Sequence, residues 1–425
     1  MKNIYLLLFF AFIFSPSYSQ NATELRIAPA YASNASVSQL FEQINYIPLE
    51  TTKQSLFGTI NQLAIADKYF IILDNATNAI LIFEKNGKFH AKISRKPLTI
   101  SSFKYEKENN RILIYSVNNK AITSQIQDKF QKDIEAALSL YKKFFKLTYY
   151  NLDGKKLDVE VPENTFSLSN LSSVQFSKEI TASNFALADE QMPDSTAFQL
   201  NIYENSRLYK SYFPYNTKKD IAQFGKYLGS GGGFTKSQND TIVYFTRPLE
   251  YAVYQLTPNT LSKKYQFIFP MANTIPQNFF TDTISQEDRR SYFNNNRAII
   301  TGISNVHVLN NLLFFKINNN DRNRNVSNSF IYNLKSGNLI SVNKTRPDTT
   351  SYFLPVLDYP FSYESFKATE GEYFYTYISS LRMFQSKEAT ADKKPVYNSV
   401  LQTYFTKGNK KDNPVIVQLK PKEDL

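Results

Sequence analysis

Residues 69–93 contain the feature that most constrains the fold of this chain. They read YFIILDNATNAILIFEKNGKFHAKI, which is a strand, a short polar turn, a second strand that ends at Asn86-Gly87, and a third strand. Asn-Gly favours the positive backbone φ of a tight hairpin turn, so the segment predicts a β-meander. A meander that recurs along a chain and cannot bury both of its faces alone is typical of a propeller or a solenoid.

Weaker copies of this meander follow along the rest of the chain. Counterparts of the Asn-Gly turn, built from the residue types that favour turns, lie at Asp153-Gly154, Asn205-Ser206, Pro258-Asn259 and Ser336-Gly337. The last copy lacks a strand, and residues 44–49 can supply it by pairing with the C-terminal strand, which leaves no open sheet edge. We therefore predict an all-β, six-bladed β-propeller that is closed by its N- and C-terminal strands and carries helical insertions.

Residues 121–146 interrupt the second copy with a different periodicity. Apolar residues recur there at steps of three or four, which places them on one face of an α-helix. Two interpretations remain open: a helix packed on the rim of the propeller, or a lid or partner-binding helix that presents Phe130, Tyr141 and Phe145. A short helix is also predicted over residues 281–296, because Thr283 or Ser285 is a favourable N-cap and acidic residues follow.

The first residues of the chain predict export. Lys2 precedes an apolar stretch, residues 4–14, that is too short to span a bilayer, and small residues at Ser17 and Ser19 suit a cleavage site. We predict a signal peptide over residues 1–19 with cleavage after Ser19, a polar leader over 20–42 and the propeller over 43–425. No later segment is apolar for long enough to predict a membrane span.

Composition narrows the compartment and the partners. The chain has no cysteine, and 49 Lys and Arg residues against 37 Asp and Glu residues give a formal net charge of +12. Without cysteine there is neither a disulfide nor a lipid on an N-terminal cysteine, which favours the bacterial periplasm or the cell surface. The basic residues are scattered, whereas nucleic-acid binding requires a clustered basic surface, so we expect no nucleic-acid partner. A monomer with a protein or glycan partner is the expected state.

The chain carries no recognisable metal or phosphate signature. Its two histidines, His90 and His307, lie in different copies, and neither has a second ligand at metal-binding spacing. The segment 321–325 suggests a calcium loop but lacks the required Gly and Glu, and the glycine cluster 229–233 is not followed by the Lys-Ser or Lys-Thr of a phosphate loop. We therefore predict no cofactor, no metal ion and no catalytic residue.

Arg247 and Tyr251 are the candidate ligand-binding residues. They lie in a turn between two strands of the fourth copy, and a guanidinium group and an aromatic face both suit an acidic or sugar ligand. The alternative is a turn that is held by a local ion pair between Arg247 and Glu250.

Segments near the two ends of the chain carry a family resemblance. They are residues 46–52, 55–58, 72–74, 82–89 and 412–420. These segments resemble six-bladed, NHL-like β-propellers that are exported by Bacteroidetes. The resemblance implies that fold and an exported location, but no settled activity and no catalytic residue. One segment departs from the family: residues 93–98 contain no glycine, whereas the family commonly has a Gly-rich stretch there.

The sequence thus predicts an exported, non-enzymatic binding or scaffolding propeller with an unidentified partner. The alternative is a hydrolase or lyase centred on the channel. Such an enzyme requires a metal held by carboxylates and Asn, or a histidine that acts as acid or base. Convergence of three or more Asp, Glu, His or Asn side chains in the channel would favour the enzyme.

Overall fold

The computed structural model contains six small β-sheets arranged in a ring, which confirms the predicted six-bladed propeller. The structure describes residues 22–119, 144–161, 173–177, 179–184, 197–205, 207–215, 233–237, 241–280, 285–321, 328–357, 366–423 and 425.

Blades 1 to 3 are each built from strands that follow one another in the chain, after two N-terminal strands that join later blades. The N-terminal strands are β1 (Thr23–Arg26) and β2 (Phe41–Pro48). Blade 1 contains β3 (Gln62–Ile65), β4 (Tyr69–Asp74), β5 (Ala79–Glu84) and β6 (Phe89–Ser94). Blade 2 contains β7 (Thr99–Glu106), β8 (Arg111–Val117) and β9 (Phe145–Asn151). Blade 3 contains β10 (Ser173–Gln175), β11 (Ile180–Asn184), β12 (Ala197–Glu204) and β13 (Arg207–Tyr215).

Blades 4 and 6 recruit the N-terminal strands, whereas blade 5 is again local. Blade 4 contains β14 (Gly233–Lys236), β15 (Val243–Thr246), β16 (Ala252–Leu256) and β17 (Leu261–Ile268), followed by β1. Blade 5 contains β18 (Gly302–Leu309), β19 (Leu312–Asn318), β20 (Ser329–Asn333) and β21 (Leu339–Ser341). Blade 6 contains β22 (Ala368–Glu370), β23 (Tyr373–Ile378) and β24 (Val415–Pro421), followed by β2.

Blade 1 shows why apolar runs form these strands. In β4 and β5, five of the six residues are buried in each strand, because both faces of the blade are covered. Phe70 and Ile72 belong to the apolar layer shared with blade 6, whereas Ile71 and Leu73 belong to the layer shared with blade 2. The core of the molecule is therefore a series of layers between neighbouring blades.

The ring closes as predicted, through antiparallel pairing of β2 with β24 in blade 6. Beside this pair, the side chain of Asn413 is fully buried and connects the C-terminal segment to the loop that enters blade 1. Its Nδ2 donates to the carbonyl oxygens of Glu50 (2.8 Å) and Ser55 (3.0 Å), and its Oδ1 accepts from the backbone N–H of Phe57 (2.9 Å). We refer to these contacts as the closure seam.

The hairpin turn of blade 1 lies against the same seam. Gly87 has a φ of +90°, and a Cβ atom at this position would lie 2.2 Å from the carbonyl oxygen of Pro48. The carbonyl oxygen of Gly87 accepts a hydrogen bond from the backbone N–H of Glu50 at 2.9 Å. The turn therefore needs glycine for its left-handed backbone and also for its close approach to blade 6.

The segment predicted to be a polar leader runs along the outer edges of three blades. β1 pairs in parallel with β17 of blade 4. Ser33 and Ser36 then form isolated bridges with Ile340 and Arg346 beside blade 5, before the chain enters β2 of blade 6. Apolar side chains anchor the segment, since Leu25, Ile27, Val37 and Leu40 are all buried.

The described α-helices lie at the edges of the blades. They are α1 (Val37–Leu40), α2 (Gln286–Asn295), α3 (Ser380–Ala389) and α4 (Ser399–Lys407). The predicted short helix is confirmed by α2, which begins after Ser285, whose hydroxyl accepts from the backbone N–H of Asp288. Helices α3 and α4 were not predicted; they lie between β23 and β24, where Met383, Leu401 and Phe405 pack into the layer shared by blades 5 and 6.

The predicted helix over residues 121–146 falls mostly outside the described residues, and so do Phe130 and Tyr141. Phe145 is described, and its assignment to that helix was wrong. It is the first residue of β9 and pairs with Val117 of β8. The predicted helix extended too far toward the C-terminus because Phe145 fits both the apolar pattern of the helix and that of the following strand.

Candidate functional site: the central cavity

A cavity of about 990 Å³ lies at the centre of the ring. Every blade contributes residues from its innermost strand to the wall of this cavity. Examples, in the order of the blades, are Gln62, Ser102, Ser173, Gly233, Ser304 and Ala368. The cavity is therefore a property of the closed ring, because no single blade encloses it.

The described wall of the cavity carries more positive than negative charge. Its lysines are Lys104, Lys107, Lys236, Lys316 and Lys367. Its carboxylates are Asp67 and Glu370. The second of these is already paired, because Glu370 Oε2 lies 2.6 Å from Lys85 Nζ and also accepts a hydrogen bond from the Tyr375 hydroxyl at 3.0 Å.

Lys104 and Lys236 are the two cavity lysines whose surroundings are most informative. Burial lowers the pKa of Lys104; the carboxylate of Glu106 opposes this shift and the ammonium group of Lys236 adds to it. Glu106 is already committed to Arg111, whose Nε lies 2.7 Å from Glu106 Oε2. Among the described residues, neither lysine ammonium group has a hydrogen-bond or ion-pair partner.

A bulge in β18 places a second polar group at the cavity. The irregularity falls between Ser304 and His307, and Asn305 has a φ of +49°. The Asn305 amide is fixed by the backbone of Phe366, because Nδ2 donates to its carbonyl oxygen at 3.0 Å and Oδ1 accepts from its N–H at 3.4 Å. Nδ2 also lies 3.3 Å from Nε2 of His307, so Nε2 is the acceptor and the proton of the neutral ring is on Nδ1.

The imidazole of His307 is buried against aromatic rings. Its ring meets those of Phe366 and Phe374 edge to face. Burial lowers the pKa of His307 to about 4, which keeps the ring neutral at physiological pH. In the described part of the chain, Nδ1 of this histidine is buried without a hydrogen-bond partner.

Arg247, a predicted ligand-binding residue, is engaged within the protein. Its Nη1 lies 2.8 Å from Glu250 Oε2, its Nε donates to Gln199 Oε1 at 2.6 Å, and its guanidinium group lies 4.0 Å from the ring centre of Phe213. Gln199 and Phe213 belong to blade 3. Arg247 therefore connects blade 4 to blade 3. It also forms the ion pair with Glu250 that was the alternative interpretation of this turn.

Tyr251, the other predicted ligand-binding residue, is engaged at the opposite face of blade 4. Its hydroxyl donates to the carbonyl oxygen of Ile300 at 2.7 Å and accepts from the backbone N–H of Ile275 at 2.9 Å. Burial raises the pKa of this phenol to about 12. Neither Tyr251 nor Arg247 is among the described residues that line the cavity. Their role in ligand binding stays a prediction.

The remaining motifs of the sequence lie in separate places. His90 Nε2 is 3.0 Å from Asp153 Oδ1, and its ring packs on Tyr69. Of the glycine cluster, Gly233 is described and lines the cavity; the other four glycine and serine positions, and most of the loop that follows Asp321, lie outside the described residues. Within the described chain, no group of three His, Cys, Asp or Glu residues is placed to hold a metal ion.

The cavity lysines Lys104 and Lys236 were not predicted from the sequence. In β7, which reads TISSFKYE, Lys104 is one polar residue among several, and Lys236 follows shortly after the glycine cluster 229–233. The available signal was their position in the first strand of a copy, because this strand lines the channel of a propeller. That signal alone does not show that Lys104 of blade 2 and Lys236 of blade 4 line the same part of the cavity.

Comparison with known proteins supports the fold and shows no specific function. Residues 22–142 match the family model described as a domain of unknown function, DUF4934. No curated protein matches the chain. None of the helices in the described residues is both long enough and apolar enough to cross a membrane.

Two of the crystal structures that match this chain come from Bacteroides species. A Bacteroides fragilis NCTC 9343 protein that is inferred to be exported aligns over 94% of this chain and 100% of its own, with 14% sequence identity and a TM-score of 0.60. A member of the DUF4221 family from Bacteroides vulgatus ATCC 8482 covers 71% of this chain and 85% of its own, with 12% identity and a TM-score of 0.36. At these identities the first similarity concerns the fold alone, and the second is too weak to support an argument.

Proposed function

We propose that this protein is an exported, non-enzymatic binding protein whose ligand occupies the central cavity. The observation that carries the proposal is the cavity itself, whose volume of about 990 Å³ is walled by all six blades. Protein pockets that enclose small molecules typically measure about 300 to 1,000 Å³. A ligand of that size would contact several blades at once.

Export is supported by the sequence and by similarity. The predicted signal peptide over residues 1–19, the resemblance to exported Bacteroidetes propellers, and the Bacteroides fragilis neighbour all agree with an exported protein. We expect protein recovered from the periplasm or culture medium to begin at Gln20. N-terminal sequencing checks this, and a chain that keeps Met1 would contradict export by signal cleavage.

A hydrolase or lyase centred on the channel is the alternative function. One observation favours it: Asn305 and His307, two of the residue types that such an enzyme uses, lie side by side at the cavity. Of the two cavity carboxylates, Glu370 is already held by Lys85.

Ligand capture separates binding from turnover. The protein is incubated with a periplasmic extract from a Bacteroidetes species and analysed by native mass spectrometry. We expect an added small-molecule mass that is unchanged from its mass in the extract. A product mass that accumulates with the wild type but not with His307→Gln would instead support the enzyme.

A cavity-blocking variant locates the site. Thr369 lines the cavity from β22, so Thr369→Trp fills part of it. The matched control is Ser262→Trp on β17, where the side chain is exposed and outside the cavity wall. We expect Thr369→Trp to lose the bound mass and Ser262→Trp to keep it. Equal retention by both variants would contradict a ligand site in the cavity.

A further inference from the structure

We propose that the cavity ligand is an anion and that Lys104 of blade 2 and Lys236 of blade 4 bind its charged group. This inference rests on the proposed function and adds the chemical class of the ligand. The class is a small molecule that carries a carboxylate, sulfate or phosphate group.

Strand register places Lys104 on the face of blade 2 that is turned toward blade 3. Phe103, its neighbour in β7, belongs to the apolar layer between blades 1 and 2. Successive residues of a strand point to opposite faces, so Lys104 points away from blade 1. Its register partner is Leu113, which belongs to a separate cluster with Tyr115 and Tyr149 on that opposite face.

The same reasoning places Lys236 on the face of blade 4 that is turned toward blade 3. Phe234, two residues earlier in β14, packs against the apolar layer between blades 3 and 4. Residues two apart share a face of the strand. Val243, the register partner of Lys236, belongs to that layer as well.

The two lysines therefore approach blade 3 from its two sides. Both line the cavity, and each lies close enough to the other for their charges to interact. Ser173 and Gln175 of β10 line the cavity between them. These neutral polar groups can donate or accept hydrogen bonds but cannot neutralise two ammonium groups.

The charges around the cavity are distributed unevenly. Among the described wall residues of blades 2, 3 and 4, the ionised side chains are Lys104, Lys107 and Lys236. The wall carboxylates come from blades 1 and 6, as Asp67 and Glu370. A cavity whose low-dielectric walls carry one sign of charge on one side attracts and orients ligands of the opposite sign.

An anion between the two lysines would satisfy groups that the described protein leaves without partners. Placing it there replaces a repulsion between two ammonium groups by two attractions, and charge-assisted hydrogen bonds are the strong ones in a partly desolvated site. The ring also predicts selectivity. The cavity has a volume of about 990 Å³ and is walled by the blades, so a compact anionic group on a small molecule fits better than a surface polyanion.

A difference in thermal stabilisation by anions tests the site. The probes are sulfate and malonate, each compared with chloride at equal ionic strength. Sulfate stabilises most proteins non-specifically, so the measured quantity is the difference between variants. We expect each probe to raise the Tm of the wild type by about 2 °C more than that of Lys104→Met/Lys236→Met, since ligand that binds only the folded state stabilises it.

The control variant is Lys53→Met/Lys264→Met, which removes the same two charges from exposed positions outside the cavity. It should keep the full response to sulfate and malonate. An equal response of wild type, cavity variant and control would overturn the anion site. A response to one probe alone would support the site and identify the preferred anionic group. The single variants Lys104→Gln and Lys236→Gln keep the test valid if the double variant misfolds.

The two proposals fail in different ways. If the cavity binds a neutral ligand, Thr369→Trp abolishes capture of that ligand while the cavity lysine variants respond to anions as the wild type does. If the cavity binds no ligand at all, Thr369→Trp and Ser262→Trp behave alike in the capture experiment.

Discussion

The closure seam and the lysine pair are two polar regions of the same ring, and they differ in how completely their groups are partnered. At the seam, the buried Asn413 side chain has a partner for Oδ1 and two for Nδ2. At the cavity, Lys104 is desolvated and has another lysine nearby. A buried polar group whose hydrogen bonds are all made stabilises one specific fold. A buried polar group without partners costs free energy, and a ligand that supplies the partners removes that cost. The seam therefore stabilises the closed ring, whereas the lysine pair is where we propose that an anion binds.

Asn413→Ala gives the largest expected effect on this comparison. It leaves the carbonyl oxygens of Glu50 and Ser55 and the N–H of Phe57 without their side-chain partner. We expect the free energy of unfolding to fall by about 4 kcal/mol, because each buried polar group left unpaired costs about 1–3 kcal/mol. Urea unfolding measures the change. The control is Asn409→Ala, which removes an exposed hydrogen bond to Asp412; equal losses in the two variants would contradict the role of the seam.

The pH dependence of stability tests the buried imidazole of His307 at the cavity. Burial lowers the pKa of His307 to about 4 in the folded protein, below the value of about 6.5 in the unfolded chain. Between these two values the unfolded chain binds a proton that the folded protein does not, so stability is full above pH 6.5 and falls as the pH drops toward 4. The expected loss is about 3 kcal/mol, since each pKa unit corresponds to about 1.4 kcal/mol.

Variants of the two histidines isolate this contribution from that of the carboxylates. Unfolding is measured between pH 4 and pH 7 for the wild type, His307→Gln and His90→Gln. We expect His307→Gln to have the flatter profile; His90→Gln is the same substitution at the partly exposed histidine beside Asp153. Parallel profiles for all three proteins would show that the burial of His307 has no such effect.

Gly87→Ala sharpens the account of the seam. The new Cβ would lie 2.2 Å from the carbonyl oxygen of Pro48, in addition to the strain of a positive φ. Gly371 is a matched position, because its φ of +55° is also left-handed but no atom lies within 4 Å of an added Cβ. We expect Gly87→Ala to lose about 2 kcal/mol more than Gly371→Ala, as is typical of overpacking. If thermal unfolding shows equal losses of stability in the two variants, the close approach to Pro48 contributes nothing and Gly87 serves the turn alone.

Lys104→Met gives the smallest expected effect on stability, and we expect it to stabilise the protein, unlike Asn413→Ala and Gly87→Ala. Because burial and Lys236 lower the pKa of Lys104, its charge destabilises the fold at neutral pH. The folded pKa lies below the unfolded value, so this cost persists at low pH and disappears as the pH rises through the folded pKa to about 10.4. We expect a small rise in Tm at pH 7 that vanishes at high pH. A lower Tm for the variant at pH 7 would indicate that Lys104 is a structural residue.

Local patterns predicted the strands well because each meander is stabilised by its own turn. The turn at Asn86-Gly87 was recognised from its residue types, and the strands on both sides follow from their apolar runs. The steric reason for Gly87 was not available, because Pro48 reaches it only in the closed ring. Helices α3 and α4 were not predicted, although Ser379 and Asn398 cap them in the ordinary way.

The site was harder to predict because its members come from different blades. Arg247 and Tyr251 have side chains that suit an acidic or sugar ligand, but each is already engaged by a neighbouring blade. Lys104 and Lys236 look like ordinary strand residues until the ring brings blades 2 and 4 to the same cavity. Sequence periodicity reports which face of a strand is apolar, and it does not report which blade that face meets.

The N-terminal segment that borders three blades also constrains the order in which this chain can fold. β1 can pair only after β17 has been synthesised, and β2 only after β24, which ends at Pro421. Blades 1 and 3, by contrast, have all of their strands close together in sequence. Contacts between distant parts of a chain form late, because closing a long loop costs entropy before the contact is made. The first strands to be synthesised are therefore among the last to be ordered, and a chain that stops before residue 415 keeps β2 without the strand it pairs with.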